Sequence, residues 1–334
     1  MTVNIPPENL PPVAQYFPPA KGKYEVAPGL ASLGTDFGNG AVDGAVFQLD
    51  RMFRGYREAK LRSRAERLEK YHCLADYDPK VAAAVAEFIA RRLAQEHPGW
   101  FRLKSNRLDC RLTGETLVFD RGWQLADARA AGDPPQPGYV SALDALACQI
   151  QEDLAVMKVA QDGVARACAL HLCFPNYWAP EDKIGRDFAA VHHPVPGLDR
   201  ISQRSPALIR AANHEGPFVR FAWGLTTDDR LNHHPATPPD WPNDHWQGRQ
   251  FDPAAPRLFL RVERQVLWGL PDVDAFLFTI RTFLTDCTQL GAEPARRQAL
   301  VQALSSMNAD SLAYKGLTAS HRDIAKWLTE AGDG

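Results

Sequence analysis

The strongest constraint on the fold is a set of three strand-like runs in the second half of the chain. They cover residues 217–225, 257–268 and 275–284, and only six residues, 269–274, separate the last two, four of which form the turn Gly269-Leu270-Pro271-Asp272. Such a short connection can join only antiparallel neighbours, because a parallel pair needs a crossover of a dozen or more residues. The sequence therefore predicts a three-stranded antiparallel meander.

Helices and further hairpins are predicted around this meander. Asp162-Gly163 between two apolar runs is a strong hairpin signal, and a second hairpin is predicted around Gly114. Helices are predicted over residues 47–71, after Asp78, after Ser141, from Pro180, from Pro294 and near Ser320. This order predicts an α+β fold with helices grouped on one side of an antiparallel sheet. We divide it into an N-terminal extension with two helices (1–105), a sheet core (106–290) and a C-terminal helical segment (291–334).

Composition excludes several classes of protein. The net charge of -2 offers no basic field for nucleic acid. No stretch approaches the roughly 20 apolar residues of a membrane span, and the N-terminus does not resemble a signal peptide. The six cysteines form no C-x-x-C pair, which argues against a zinc ribbon, an iron–sulfur cluster or covalently attached haem. We predict a cytoplasmic protein with reduced cysteines.

One histidine lies in a helical pattern that could present it to a metal. Ile184, Phe188 and His192 recur every four residues and would share one helix face, whereas His193 would point about 100° away. An imidazole on an inward face can bind a metal or haem iron, but it can equally be a semi-buried structural histidine. The spacing alone leaves both interpretations open.

Charged residues lie in the middle of the second strand of the meander. Alternation places Arg261, Glu263 and Gln265 on one strand face, and Arg220 and Arg281 of the neighbouring strands could lie alongside. The pattern is consistent with an ion-pair ladder, worth about 1 kcal/mol or less per pair. It is also consistent with a polar pocket that offers one carboxylate to a cation. No dinucleotide or P-loop motif is present, so no nicotinamide or flavin site is expected on this chain.

Two longer motifs carry a family resemblance. The first comprises LCFPNYW at 172–178, KIG at 183–185, VH at 191–192 and PVPG at 194–197. The second comprises LRVERQ at 260–265, LP at 270–271 and FTIR at 278–281, and KGKY at 21–24 with GL at 29–30 fit the N-terminal region. Together they resemble the alpha subunit of haem-dependent oxidative N-demethylases. The sequence departs from that pattern at Trp268-Gly269 and at Phe221-Ala222-Trp223, which bears on substrate specificity more than on the fold.

The resemblance implies a PAS-like core at residues 106–290 that binds haem b non-covalently. It implies oxidation of dimethylamine to methylamine and formaldehyde, using O₂ and electrons that originate in NADPH. Partner subunits carrying FMN and a [2Fe–2S] cluster would deliver the electrons, and a tetrahydrofolate-binding partner would take up the formaldehyde.

The resemblance also suggests roles for individual residues. It implies that His192 is the axial haem ligand and that Glu263 pairs with the ammonium group of the substrate. An arginine could polarise O₂, as pre-placed donors do at developing anions. The implied catalytic residues are Glu263, Arg220, Arg261 and Trp223, and the implied haem-binding residues are His192, His193, Lys183 and Arg281.

Two alternative functions remain open from the sequence. A haem-PAS gas or redox sensor would bind haem without catalysis, although no signalling output is visible in the sequence. A non-haem metal hydrolase would use His233, His234 and His245, which lie close together in the sequence. A Soret absorption band in the purified protein would favour haem over the second alternative.

Overall fold

The computed structural model describes residues 10–130, 138–192, 195–197, 205–243 and 250–330. Its helices are α1 (Phe53–Arg67), α2 (Pro79–Glu96), α3 (Ala142–Ala147), α4 (Phe188–His192), α5 (Ser205–His214), α6 (Pro294–Ser305), α7 (Ala309–Tyr314) and α8 (His321–Glu330). Its strands are β1 (Ala31–Ser32), β2 (His72–Leu74), β3 (Phe101–Lys104), β4 (Arg107–Cys110), β5 (Glu115–Phe119), β6 (Leu125–Ala130), β7 (Asp153–Val159), β8 (Ala165–His171), β9 (Phe218–Thr226), β10 (Phe259–Leu270) and β11 (Ala275–Asp286). None of the described helices is both long enough and apolar enough to cross a membrane.

All strand pairs are antiparallel, which confirms the α+β class. The larger sheet has the order β1-β9-β10-β11-β7-β8-β2, and a second sheet has the order β3-β4-β5-β6. The predicted meander is β9-β10-β11, in which β10 and β11 pair along their whole length from Phe259↔Asp286 to Leu270↔Ala275. The hairpin at Asp162-Gly163 joins β7 to β8, with Gly163 in the left-handed region that this turn requires.

The larger sheet has two faces with different coverings. We call face A the side of Val219, Val266 and Leu277, which belong to the largest core cluster together with residues of α2 and α3. Towards the other end of β10 and β11, the C-terminal helices α6 and α8 also cover face A.

Face B is the opposite side of the sheet, defined by Arg220, Glu263 and Phe278. Phe188 of α4 and Ile209 of α5 pack on its apolar part. The expectation that helices occupy only one side of the sheet is therefore wrong. The sequence pattern did not predict that α4 and α5 would pack on the apolar part of face B.

The second sheet was only partly predicted. The hairpin of β4 and β5 was expected, but β3 and β6 extend it into a four-stranded sheet. Phe101, Leu108 and Leu117 of this sheet join the core cluster that contains Val85 and Ile89 of α2. Strand β6, with the sequence LADARA, is half-exposed throughout and so carries little of the alternation that reveals a strand.

Helix α1 begins later than predicted because the residues before it bind buried side chains. The backbone N–H of Val46 donates to Glu96 (2.8 Å), that of Gln48 to Glu152 (2.7 Å) and that of Asp50 to Gln151 (2.9 Å). These donors are used in tertiary contacts, so the helix starts only at Phe53. Helix α2 begins as predicted, with the Asp78 carboxylate accepting from the backbone of Lys80 and Val81.

Gly269 is expected to tolerate no side chain. A Cβ atom there would lie 2.0 Å from the carbonyl oxygen of Asn213 near the end of α5, which packs against this part of β10. Because the obstacle is backbone, relief requires moving the helix, so Gly269→Ala should destabilise the protein by about 3 kcal/mol, the upper part of the usual overpacking range. Denaturant unfolding would measure the change. The control is Gly55→Ala in α1, where the added methyl meets nothing within 4 Å. An unfolding midpoint of Gly269→Ala at or above that of the control would contradict the prediction.

Candidate functional site

A carboxylate lies at the centre of the polar part of face B. Glu263 on β10 is flanked in register by Ala222 of β9 and Thr282 of β11. One of its oxygens lies 3.5 Å from Nε of Arg261, and the other accepts a hydrogen bond from Gln265 (3.1 Å). The Glu263 side chain is 16% exposed, so it is accessible from the face B side. The alternation predicted for this strand is confirmed.

Arg261 fastens two loops over one end of face B. Its guanidinium donates to the carbonyl oxygen of Leu231 (2.9 Å), the carbonyl oxygen of Phe174 (2.6 Å) and the hydroxyl of Thr282 (3.3 Å). The side chain is 1% exposed. Both terminal nitrogens of Arg261 therefore bind groups of the protein itself. Arg261 can act on a ligand through its positive charge and by positioning the Glu263 carboxylate.

Arg220 is the less constrained cation on this face. It is the register partner of Gln265, and its one hydrogen bond within the described part of the chain is a long one of 3.5 Å to the carbonyl oxygen of Ala27. Its Nε is buried with no hydrogen-bond partner in the described part of the chain. Burial lowers the pKa of Arg220, and the nearby charge of Glu263 opposes that shift. A half-buried guanidinium with an unused donor suits an anionic group or a developing negative charge.

An apolar floor adjoins these polar residues. Apolar side chains of β7, β8, β10 and β11 form it, with Leu172 just after β8, and Leu267 and Phe278 are its partly buried members. It includes Ala155, Met157, Ala167, Leu170, Leu172, Leu267, Phe276, Phe278 and Ile280. A broad apolar surface beside two arginines and a carboxylate fits the needs of a haem, which is flat and apolar with two acidic side chains.

The segment that carries the histidine motif lies beside this floor. Instead of one helix from Pro180, the structure has a 3-10 turn (Pro180–Asp182) and the short helix α4, because residues 183–185 form a turn and Asp187 forms a β-bridge with Arg166 of β8. Ile184 therefore lies outside the helix, yet it packs with Phe188 in the same cluster. The Lys183 ammonium donates to the carbonyl oxygen of Val191 (2.7 Å) and so holds the end of α4, where His192 is the last residue. The side chain of His192, and His193 altogether, lie outside the described residues.

Two predicted site residues lie on face A instead. Trp223 packs edge-on against Tyr24, with ring centres 5.6 Å apart, in the cluster under the C-terminal helices. Arg281 is fully buried, donates to Asp50 (2.7 Å) and lies over the ring of Tyr56 (3.9 Å). The expectation that they line the same face as Glu263 is wrong. Side chains alternate along a strand, so Trp223, three positions after Arg220, points to the opposite face. Arg281 pairs in register with Arg264, and therefore lies on the face of Arg264, opposite to Glu263.

The two described histidines proposed for a non-haem metal site, His233 and His234, are both paired with carboxylates. His233 pairs with Asp228 (2.8 Å). Both ring nitrogens of His234 are engaged, one with Glu181 (3.0 Å) and the other with the backbone N–H of Ala236 (3.0 Å). His245 lies outside the described residues. A metal ligand needs a free ring nitrogen, so His234 as positioned here cannot serve as one.

A second group with metal-binding potential is better explained as an ion-pair network. Ligand atoms of Asp144, Cys148 and His171 lie within 4.8 Å of one another. However, Asp144 accepts two bonds from Arg64 (2.7 Å each), one from His171 (3.0 Å) and one from the backbone of Val140 (3.0 Å). Burial raises the pKa of Cys148 to about 12, so the thiol stays protonated. A metal would have to displace Arg64 from a buried carboxylate.

The hydrogen-bond partners of Arg261 could not be predicted from the sequence. The carbonyl oxygens of Phe174 and Leu231 belong to two loops that lie far apart in the chain, and they meet only because the sheet brings both onto face B. Backbone acceptors leave no signature in a sequence. The only hint was the LCFPNYW motif itself, which contains Phe174.

Most of the chain matches a family of known proteins. The family described as "Haem-dependent oxidative N-demethylase, alpha subunit-like" matches residues 41–325. The matched range covers more than four fifths of the chain and includes both motifs, the apolar floor and all of the polar residues of face B. The chain therefore belongs to the haem-dependent oxidative N-demethylase alpha subunit-like family.

Proposed function

We propose that this chain binds haem b non-covalently against face B and oxidatively removes a methyl group from a small secondary amine such as dimethylamine. The family name supports a haem-dependent oxidative N-demethylase. The observation that carries the finer proposal is Glu263, a part-exposed carboxylate next to a broad apolar floor. Dimethylamine is an ammonium ion at neutral pH, and burying it beside apolar surface requires a nearby negative charge.

The residues around the apolar floor fit a haem. His192 would be the axial ligand, with Lys183 holding the end of α4. The floor residues would contact the macrocycle. When bound, haem would supply the iron at which O₂ is activated. We further propose that this sheet and its covering helices are a PAS-like fold.

Glu263, Arg261 and Arg220 would have different roles in substrate binding and in charge stabilisation. Glu263 would hold the ammonium group, while Arg261, through its ion pair, would keep the carboxylate in place. Arg220 would be the donor toward developing negative charge on oxygen, because the terminal nitrogens of Arg261 are committed to loop carbonyls. Trp223 and Arg281 have no part in this proposal, since both lie on face A.

An absorption spectrum and a substrate panel test the proposal. Protein produced with sufficient haem should show a Soret band, and the band should shift on addition of dimethylamine. Turnover of small secondary amines with the electron-donating partners should then yield formaldehyde. No Soret band would refute the haem site. A Soret band that responds to gases but not to any amine, without formaldehyde, would point to a haem-PAS sensor.

The isolated chain is expected not to oxidise NADPH. The sequence has no dinucleotide fingerprint and no cysteine cluster, and the name "alpha subunit" implies other subunits. We propose that these carry FMN, a [2Fe–2S] cluster and a tetrahydrofolate site. NADPH absorbance should stay constant when the chain, dimethylamine and O₂ are mixed, and should fall once the reductase partner is added. Steady amine-dependent NADPH consumption by this chain alone would contradict the multi-subunit proposal.

A further inference from the structure

A cluster of buried polar side chains occupies the middle of face A. Arg264 and Arg281 are register partners on β10 and β11, and Thr279 lies two residues before Arg281 on the same face. Glu152, the residue before β7, interacts electrostatically with both arginines, and the backbone N–H of Gln48 donates to it. No member is more than 2% exposed. So many polar groups within a sheet core are costly unless they have partners.

Several polar atoms of this cluster lack a partner within the described part of the protein. They are Nε and Nη1 of Arg264, Nε of Arg281, Oγ1 of Thr279, Oε1 of Gln48 and Oε2 of Glu152. Buried polar groups are nearly always hydrogen-bonded, and an unmade bond costs about 1–3 kcal/mol. Because donors and acceptors are both represented, bridging water molecules would satisfy them together. The chemistry of the cluster is that of an internal water site.

Hydrogen bonds connect the cluster to the surface. The amide of Gln48 donates to the hydroxyl of Tyr16 (2.8 Å), and that hydroxyl donates to Asp43 (2.7 Å). Asp43 in turn accepts from the backbone N–H groups of Phe37 (2.8 Å) and Asn39 (3.0 Å), which lie in a partly exposed turn. The outer end of this polar path is therefore one residue layer from solvent.

A buried lysine connects the cluster to the other face of the sheet. Glu152 accepts from the backbone of Gln48 (2.7 Å). Lys60 of α1 donates to the carbonyl oxygen of Glu152, and its ammonium lies 3.9 Å from the Asp153 carboxylate. Asp153 is the register partner of Ile280, in the cross-strand row that also contains Gln265 and Arg220. Glu152 and Asp153 are consecutive, so their side chains point to opposite faces.

We propose that this path from Asp43 through the buried cluster, Lys60 and Asp153 is a hydrated proton channel that supplies face B. The inference rests on the proposed function. Demethylation of a secondary amine, (CH₃)₂NH + O₂ + 2e⁻ + 2H⁺ → CH₃NH₂ + CH₂O + H₂O, consumes two protons for the two electrons that a reductase delivers. One oxygen atom ends in formaldehyde and the other in water. The part of face B beside Glu263 is lined by the apolar floor, so a polar route through the protein would bring those protons to it.

The two carboxyl groups are suited to proton exchange near neutrality. Burial raises the pKa of Glu152 to about 6 and that of Asp153 to about 6, while nearby cations oppose both shifts. The charged and titratable groups around them are Lys60 of α1, Arg281 of β11, Arg264 and Arg261 of β10, Cys173, and Tyr16, Asp43 and Asp50 of the N-terminal segment. A raised carboxyl pKa means that the neutral form is populated when the pH falls toward 6.

The first test needs neither haem nor partners. Infrared spectra of the isolated protein should show a buried protonated carboxyl band that grows as the pH is lowered through about 6. The band should be weaker in Glu152→Gln and in Asp153→Asn. Absence of any such band in the folded wild-type protein overturns the channel, whatever its catalytic activity.

The second test uses the full system of chain, haem and electron-donating partners. Thr279→Val removes one hydroxyl of the cluster without removing a charge. It should therefore fold even if Glu152→Gln does not. Both variants should lower turnover by about tenfold or more, on the scale of proton-transfer catalysis. They should also enlarge the solvent deuterium isotope effect and release more hydrogen peroxide, at an unchanged half-saturating amine concentration.

Thr226→Val is the matched control. Thr226 is also a buried hydroxyl without a hydrogen-bond partner among the described residues, but it lies at the end of β9, outside the cluster. It should keep the wild-type rate and isotope effect. Wild-type values in a folded Thr279→Val variant would overturn the proposal. If the wild-type protein demethylates no amine, the proposed function fails, and the infrared titration alone decides whether the carboxyl pair exchanges protons.

Discussion

Replacement of His192 by alanine is expected to abolish haem binding, whereas replacement of His193 should leave it intact. His192 is the last residue of α4, and Lys183 anchors the preceding carbonyl, so the backbone at this position is held beside the apolar floor of face B. An iron–imidazole bond is the main specific attachment of a non-covalent haem, and apolar contact alone gives a weak and mobile complex. The Soret band should therefore disappear or shift after gel filtration of His192→Ala.

The adjacent histidine is the natural control for this experiment. Consecutive residues of a helix point about 100° apart, so two adjacent histidines are not expected to bind the same iron. Both variants carry the same loss of one imidazole from the same motif, and any general effect on folding should be shared. Loss of haem from His193→Ala with retention by His192→Ala would show that the wrong histidine was assigned to the iron.

Replacement of Glu263 by glutamine is expected to raise the amine concentration for half-maximal turnover by about a hundredfold. Removing one partner of a buried ion pair costs about 3–5 kcal/mol. Because Glu263 is partly exposed, we expect the loss of binding free energy to be about 3 kcal/mol or less. A loss of about 3 kcal/mol corresponds to roughly a hundredfold in affinity. Haem binding should be unchanged, because the substitution preserves shape and lies among polar residues. Titration of the Soret shift with dimethylamine would measure the affinity directly.

If Glu263 binds the amine, Glu263→Gln should lose little stability, because Arg261 keeps its three bonds to Leu231, Phe174 and Thr282. If Glu263 has only a structural role, the variant should instead lose stability and keep its amine affinity. The control is Glu96→Gln, which weakens a partly buried carboxylate paired with Arg92 and the backbone of Val46 on the other side of the sheet. That variant should melt earlier with unchanged amine affinity. If Glu263→Gln behaves in the same way, Glu263 is a structural residue and is not part of the amine site.

The sequence by itself determined the local architecture. The meander followed from three alternating runs and a four-residue turn, and the hairpin of β7 and β8 from Asp162-Gly163, because these patterns act through neighbouring residues. The same alternation placed Arg261, Glu263 and Gln265 on one face, and that placement is confirmed. The family motifs likewise pointed to the family that matches the chain.

Only the tertiary structure decided which residues of different strands share a face. A strand pattern has a period of two, so the pattern within β11 leaves two choices for Arg281, and the pairing register selects between them. Register with Arg264 puts Arg281 on face A beside Asp50, away from Glu263. The loop carbonyls that bind Arg261 and the path through Lys60 join segments far apart in sequence. Such contacts depend on long-range packing, for which neither periodicity nor spacing along the chain carries a signal.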